Sequence, residues 1–267
     1  MKFTRRQFLT FTSAGLFSAS GCSTSPKIDG VGPNRGVKQR TALRGKQTCT
    51  NTDVPLSDIA TRLSVPEDFG DGSCEMINDS FEGPYFTCTP AVGKDISGGQ
   101  KGQPLTVAMR LVDENCQPIP NGVVDIWGCN ADGAYSGYST DPNKLPPIVK
   151  IVLFGHVKPD TEARFCRGAL RTDADGIAEF KTIYPGYYYG VPIHLHFKAH
   201  VEGKNLLTSQ ANFSEDWNQR IMKTAPYNAE RPIQRKIANK EFPVMKIIER
   251  DKALLAVLDL VVPTETI

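Results

Sequence analysis

The sequence predicts an all-β protein, an antiparallel β-sandwich with long loops behind an N-terminal signal and linker segment. The first observation is a series of short runs of β-branched and aromatic residues, each bounded by turn residues. The second is the abundance of 23 glycines and 19 prolines, which favours many turns over long helices. With 267 residues, of which 40% are hydrophobic, the chain is long enough to bury the core of such a sandwich.

Each strand is predicted from alternating apolar and polar residues or from clustered β-branched residues. Turn residues at Pro118–Gly122 and Asp173–Gly176 separate neighbouring strands. Short helices are predicted at Leu56–Leu63 and Asn228–Lys240. In chain order, the predicted strands are Leu105–Val112, Val123–Trp127, Ile148–Phe154, Leu170–Thr172, Ala178–Ile183, Ile193–His200, Leu206–Phe213 and Leu254–Val262.

The first 22 residues are predicted to be a twin-arginine signal peptide. The pair Arg5–Arg6 precedes a weakly apolar run over residues 8–20, which is shorter than the roughly 20 apolar residues of a membrane-spanning helix. Ala19–Cys22 resembles a lipoprotein cleavage box, in which Cys22 is the acylated residue. The prediction is export through the twin-arginine route, giving either a periplasmic protein or a lipoprotein anchored in the membrane through Cys22.

Composition and charge divide the rest of the chain and exclude one class of function. A net charge of +2 is too balanced for a nucleic-acid-binding protein. Residues 23–80 are predicted to be a linker and N-terminal extension, and residues 81–267 a β-sandwich domain. Apart from Cys22, six cysteines allow up to three disulfides in an oxidising compartment, with the pairing open: Cys49, Cys74, Cys88, Cys116, Cys129 and Cys166.

Histidines mark the candidate site. Of the four in the chain, three fall within one predicted strand, at His194, His196 and His200. Alternate side chains of a strand share one face, so His194 and His196 point the same way and can bind one metal ion together. Exposed strand histidines are also common, so this pair alone leaves open whether a metal binds at all.

A tyrosine-rich loop directly before this strand narrows the choice of metal. Residues 184–190 read YPGYYYG, with four phenols. A tyrosine ordinarily titrates near pH 10, so a phenolate at neutral pH needs a strong Lewis acid, such as ferric iron, beside it. Zinc instead recruits thiolate, imidazole or carboxylate ligands. Without a metal, the same tyrosines would merely wall a groove.

Five motifs, in order, resemble the intradiol ring-cleavage dioxygenases, the superfamily of catechol and protocatechuate dioxygenases. They are EGPYF at 82–86, VVDIWGCNADGAYSGY at 123–138, RTDADGIAEF at 171–180, YPGYYYGVPIHLHF at 184–197 and LLTSQANF at 206–213. The resemblance implies four metal ligands, namely Tyr135, Tyr188, His194 and His196. It also places Gln210 beside the substrate, and Tyr85 falls within the first motif as a wall of the pocket.

The activity that this resemblance implies is a non-haem iron(III) dioxygenase acting on a small aromatic diol and dioxygen. A catechol-type ring would be cleaved between its two hydroxyl-bearing carbons to a muconate-type product. Tyr188 is expected to leave the metal as substrate binds and to take up a catechol proton, which is general acid–base catalysis. The sequence does not decide the oligomeric state, so a homo-oligomer stays open.

One position departs from the family pattern. The family commonly has an arginine three residues before the first histidine, where this chain has Val191. Loss of a fixed cation from a desolvated site costs several kcal/mol of transition-state stabilisation. Either another cation takes its place, with Lys198 and Arg167 as candidates, or the substrate differs, or activity is weak. Val191 is therefore assigned to the substrate pocket.

Two other classes of function are compatible with parts of the pattern. One is an exported, catalytically inert β-sandwich module that binds a polyphenol, a carbohydrate or a protein partner, which the valine at position 191 favours. The other is a zinc or copper enzyme that uses the same histidine pair. The complete set of two tyrosines and two histidines favours the dioxygenase.

Overall fold

The computed structural model describes residues 54–70, 74–88, 91–139, 157–187, 191–227, 242–250 and 253–263. The predicted signal peptide with Cys22, the predicted strand Ile148–Phe154 and the predicted helix Asn228–Lys240 lie outside these residues. Among the helices that are described, none has the length and apolar character needed to cross a membrane.

The described residues form a two-layered β-sandwich, which confirms the predicted all-β class. In chain order its elements are β1 Ala91–Val92, β2 Pro104–Asp113, β3 Val123–Trp127, β4 Arg167–Arg171, β5 Ile177–Ile183, β6 His194–Val201, β7 Lys204–Asn212, the helix α1 Glu215–Ile221, β8 Lys246–Arg250 and β9 Ala253–Val262. One sheet has the strand order β1-β4-β3-β6-β7, and the other has the order β5-β2-β9-β8. Most neighbours are antiparallel, but β1–β4 and β2–β9 are parallel pairs, so each sheet is mixed.

Several predicted elements differ from the structure. Strand β4 begins at Arg167, three residues before the predicted Leu170. The predicted helix Leu56–Leu63 is wrong, because only Ile59–Thr61 forms a 3-10 helix, while Leu56 makes a β-bridge with Arg171. Strand β8 and helix α1 were not predicted at all.

Cysteine pairing, which the sequence left open, is settled in part by the structure. Cys74 and Cys116 form a disulfide with their Cα atoms 5.6 Å apart, and Cys88 is disulfide-bonded as well. Cys166 is reduced and buried, and burial raises the pKa of its thiol to about 11. The Cys74–Cys116 disulfide therefore joins the predicted N-terminal extension to the loop between β2 and β3.

Strand β6 lies inside the five-stranded sheet, between β3 and β7, and is buried along all eight residues. Its odd-numbered residues, including Leu195 and Phe197, pack into the core between the two sheets. Its even-numbered residues, His194, His196 and Lys198 among them, point to the outer face of the sheet. Because these polar residues are also buried, loops must cover that outer face.

Residues 63–70, part of the predicted extension, pack on the outer face of the four-stranded sheet. Phe69 packs there against Ala108 and Leu255. The fully buried carboxylate of Glu179 on β5 accepts hydrogen bonds from the backbone N–H groups of Leu63 and Ser64, at 2.8 Å and 2.7 Å. Lys94 completes the cluster with an ion pair of 2.9 Å to the same carboxylate. This stretch is thus fastened to the sandwich by a buried charge.

We predict that Glu179→Gln lowers the free energy of unfolding by about 2–4 kcal/mol at pH 7. Burial acts to raise the pKa of Glu179, but the contacts with Lys94, Ser64 and Leu63 outweigh it, so the pKa lies below its ordinary value of 4.5. A lowered pKa means that the stabilisation is present above the unfolded-state pKa and is lost as the pH falls through the folded-state pKa. The difference between wild type and variant in urea unfolding should therefore begin to shrink as the pH falls below about 4.5, and it should vanish below the folded-state pKa.

The matched control is Glu249→Gln, because Glu249 makes a 2.9 Å ion pair with Arg220 while both side chains are more than half exposed, at 59% and 58%. An exposed pair contributes about 0–1 kcal/mol, so this variant should unfold almost as wild type does. Equal losses in the two variants, or a loss at Glu179 that does not change with pH, would contradict the buried-charge account.

Candidate metal centre

Four residues of the candidate centre form a single cross-strand row. Antiparallel pairing places Trp127 on β3 directly opposite both Arg167 on β4 and His196 on β6. His196 in turn is opposite Gln210 on β7. Directly paired residues of a sheet point to the same face, so arginine, tryptophan, histidine and glutamine line up across four strands on the outer face.

His194 and His196 converge at their ring nitrogens. The two Nε2 atoms lie 3.0 Å apart, and both side chains are only 4% exposed. The Nδ1 of His194 lies 2.6 Å from the backbone carbonyl oxygen of Pro192. Because a carbonyl oxygen can only accept, that Nδ1 carries the hydrogen, and the Nε2 of His194 directs its lone pair towards His196.

Burial keeps both imidazoles in their neutral form. It lowers the pKa of His194, which the Pro192 carbonyl opposes in part. Burial lowers the pKa of His196 further, with smaller contributions from His194 and Arg167. The His196 ring is stacked on Trp127, with centroids 5.1 Å apart and an interplanar angle of 5°. Neutral imidazoles in fixed orientations are the form in which histidine binds a metal ion.

Tyr135 is delivered by a tight hairpin that follows β3. Cys129 and Tyr135 form an isolated antiparallel bridge. Between them, the side chain of Asn130 accepts hydrogen bonds from the backbone N–H groups of Asp132 and Ala134, at 3.0 Å and 2.9 Å. Gly133 takes the positive φ of +81° that closes the turn. The sequence NADG thus fixes Tyr135 with its ring centroid 6.4 Å from that of His196.

Aromatic residues enclose this point. Tyr85 stacks on Tyr135, with centroids 4.7 Å apart, and meets Tyr138 edge-on at 5.0 Å. Tyr138 donates a 3.1 Å hydrogen bond to the backbone carbonyl of Phe86. Val191 is partly buried and packs against the same cluster. Of the three residues predicted to shape the substrate pocket, Tyr85 and Val191 therefore lie together in this aromatic cluster, and Gln210 lies opposite His196.

Tyr188 lies outside the described residues, but the residues just before it are placed. The backbone N–H of Gly186 donates a 3.0 Å hydrogen bond to the carbonyl of Asn130, in the hairpin of Tyr135. A Cβ atom on Gly186 would lie 2.1 Å from the carbonyl oxygen of Ala131, so only glycine permits this approach. The two tyrosine-bearing segments are thus joined directly through their backbones.

Both cations proposed to replace the missing arginine are buried on this face. Lys198 is ion-paired with Glu82 and lies 3.7 Å from the centroid of the Phe86 ring. It occupies the next row of the sheet, opposite Asp125, whose pKa burial raises to about 7 against the pull of Arg167 and Lys198. Arg167 instead shares the row of His196, and its charge contributes to lowering the pKa of that histidine.

The arrangement fits a metal ion held by imidazole and phenolate ligands. Two nitrogen ligands about 2.1 Å from one ion, and roughly at right angles, lie about 3 Å apart, which is the spacing of the two Nε2 atoms. The described ranges contain no group of three or more His, Cys, Asp and Glu side chains placed to hold a metal. A ferric ion accepts phenolate as well as imidazole, so Tyr135 fits the donor set.

The structure brings together most of the predicted site residues: Tyr85, Tyr135, Val191, His194, His196 and Gln210. Their chemical roles stay predictions, as does the place of Tyr188. Sequence reasoning missed the close approach of Gly83 to the His196 ring. It named Arg167 only as one of two cations that could replace the missing arginine. The feature that could have identified Arg167 was its place at the start of β4, but the predicted strand began only at Leu170.

Comparison with known proteins finds relatives that are named dioxygenases. Residues 81–225 match the family model described as "Dioxygenase". Catechol 1,2-dioxygenase 1 of Acinetobacter lwoffii is 26% identical over 160 residues, which cover 51% of this chain and 46% of the relative. The beta chain of protocatechuate 3,4-dioxygenase from Burkholderia cepacia is 31% identical over 108 residues, covering 38% of this chain and 40% of the relative. The chain thus spans about half the length, or less, of these relatives.

Among solved structures, an intradiol ring-cleavage dioxygenase from Tetranychus urticae is similar, with a TM-score of 0.61 and 28% sequence identity. The similarity covers 71% of this chain and 95% of that protein. The similar region therefore covers nearly the whole of the Tetranychus urticae protein.

We predict that Gly83→Ala disturbs His196 directly. Gly83 has a φ of +77°, and a Cβ atom there would lie 3.0 Å from Cε1 of the His196 ring. Strain plus displacement of a buried ring should cost about 2–4 kcal/mol of unfolding free energy. Gly203→Ala is the matched control, because Gly203 has the same φ of +77° with nothing within 4 Å of its Cβ position. It should cost about 1–2 kcal/mol.

A double-mutant cycle in urea isolates the contact itself. In a His196→Ala background the ring is gone, so the added cost of Gly83→Ala should fall to that of Gly203→Ala. Equal costs at the two glycines in the wild-type background would contradict the proposed contact.

Proposed function

The chain belongs to the intradiol ring-cleavage dioxygenase family, and we propose that it is a non-haem iron(III)-dependent enzyme. The proposed reaction is cleavage of a catechol-type ring between its two hydroxyl-bearing carbons, with both atoms of dioxygen entering a muconate-type product. The chain would hold the iron through Tyr135, Tyr188, His194 and His196. Relatives that bear the names of catechol and protocatechuate dioxygenases support this class of substrate.

One observation carries the proposal. Two neutral, buried imidazoles direct their Nε2 atoms to within 3.0 Å of each other, on the face where Tyr135 is fixed. Two such nitrogens with lone pairs repel each other unless a hydrogen or a cation lies between them. When bound there, ferric iron would supply Lewis-acid activation of the catechol and a redox path from the ring to dioxygen.

The residues of the chain have separate tasks in this reaction. The carbonyl of Pro192 keeps His194 in the tautomer whose Nε2 is free to bind a metal, and the ring of Trp127 fixes the plane of His196. The phenolate oxygen of Tyr188 is assigned to accept one of the two protons that the catechol gives up. Gln210, paired with His196 across the sheet, is assigned to contact the substrate.

The aromatic cluster that contains Tyr85, Tyr135 and Tyr138 favours a flat aromatic substrate. Tyr85, Tyr135 and Tyr138 present rings that stack or meet edge-on, which is how aromatic rings pack against one another. Val191 adds an aliphatic surface to this cluster, where an arginine would have presented a charge. We therefore propose a catechol that is bound chiefly through its two oxygens and its ring face.

Export through the twin-arginine route is also proposed, with a periplasmic or lipid-anchored protein as the outcome. The arginine pair Arg5–Arg6 before a short apolar run supports it. The Cys74–Cys116 disulfide adds support, because disulfides persist chiefly in oxidising compartments.

Oxygen consumption by the iron-loaded full chain, measured across a panel of catechols with product identification, tests the proposed function. We expect uptake of one dioxygen per ring and a dicarboxylic product opened between the hydroxyls. His194→Ala and Tyr135→Phe should abolish both turnover and stoichiometric iron, because each removes a ligand.

His200→Gln is the matched control, since His200 lies on the same strand and face but is not assigned as a ligand. It should retain iron and turnover. No uptake with any catechol would favour the inert binding module, and full iron content in the ligand variants would refute the assigned roles. Activity that requires zinc or copper would favour the other rival.

A further inference from the structure

Arg167 is a buried cation that lies in the same cross-strand row as His196 of the candidate metal centre. It begins β4 and is 2% exposed, although arginine is seldom buried to this degree. Its pairing with Trp127 puts it two strands away from His196 in the same cross-strand row. A buried guanidinium is costly unless its donors are satisfied, so its contacts indicate why it is there.

Its hydrogen bonds join two separate loops. Nε donates to the hydroxyl of Ser136 at 2.8 Å, and Nη2 donates to the backbone carbonyl of Ser136 at 2.9 Å. The same Nη2 also donates to the backbone carbonyl of Tyr85 at 3.2 Å. Ser136 directly follows Tyr135, and Tyr85 is the ring stacked on Tyr135. One side chain therefore connects the backbone of Tyr85 with that of Ser136, next to Tyr135, the other member of the stacked pair.

The hydroxyl of Ser136 extends this connection to the sheet. It donates a 2.6 Å hydrogen bond to the carbonyl of Phe165, two residues before Arg167. Within the described ranges, the acceptors of Arg167 are neutral oxygens, in contrast to Lys198, which is ion-paired with Glu82. The guanidinium is thus hydrogen-bonded to neutral oxygens, while its charge interacts electrostatically with Tyr138, Asp125 and Tyr135.

We propose that Arg167 is the positioning residue of the metal centre. Its guanidinium fastens the loop of Tyr135 to the loop of Tyr85 and holds a positive charge beside Ser136, the residue that follows Tyr135. We call this connection of Ser136 and Tyr85 through Arg167 the clamp. The clamp follows from the hydrogen bonds, whereas its role towards a metal-binding phenolate rests on the proposed function. Arginine suits this role because its planar fork reaches several acceptors at fixed angles, which lysine does not.

Amide hydrogen exchange of the full chain, before and after iron loading, tests the clamp. Arg167→Gln and Arg167→Lys should both accelerate exchange roughly tenfold in residues 81–88 and 128–138, with the strands of the other sheet unchanged. Ser136→Ala keeps the two carbonyl acceptors, so its smaller acceleration should be confined to residues 128–138. The control Arg171→Gln, on the same strand, should leave both loops as in wild type, because Arg171 donates to Val54 instead.

The iron-loaded variants test the link to the metal. Both Arg167 variants should shift and weaken the visible absorption of the tyrosinate–iron centre, and should lower kcat more than they raise KM. Wild-type exchange in both loops of the Arg167 variants would overturn the proposal, whatever their activity. Accelerated exchange in a protein that binds no iron would uphold the clamp while refuting the proposed function. If Arg167→Gln does not fold, Arg167→Lys and Ser136→Ala decide the same question.

Discussion

Hydrogen-bonded register among β4, β3, β6 and β7 is the constraint on which the candidate centre depends. A shift of one residue between β3 and β6 would turn His196 into the core and bring Phe197 to the outer face. The inward residues of β6 resist such a shift because they are packed between the sheets. The hydrophobic core, whose residues have no chemical role, thereby holds Arg167, Trp127 and His196 in one row.

The second requirement is that loops cover this row of residues and keep it from water. Loops at 81–88 and 128–138 bury polar groups that would otherwise be hydrated, and this burial keeps the histidines neutral and the ring contacts close. Because loops lack the regular pairing of a sheet, they need specific fasteners. Buried polar side chains supply them here, with Arg167 between the two loops and Lys198 paired with Glu82. These buried charges cost free energy to desolvate, and they lie where they hold loop backbones in place.

Most of the sandwich could be predicted because alternation and turn residues are local signals. Strand β3 was predicted with its observed bounds, and β6 was displaced by one residue. The start of β4 was missed because arginine beside glycine is typical of a loop, and its burial depends on acceptors 31 and 82 positions earlier. Likewise, no local pattern links Gly83 to His196. The ligand set came from ordered motifs, whereas the clamp depends on tertiary contacts.

The visible absorption spectrum of the iron-loaded chain, recorded together with its iron content, is the most direct test of convergence of two phenols and two imidazoles on one ion. The account predicts about one iron per chain and a tyrosinate-to-iron(III) charge-transfer band that colours the protein red, with the band changing on addition of a catechol. A colourless protein that nevertheless holds one ferric ion per chain would contradict it, because Tyr135 and Tyr188 could not then be ligands.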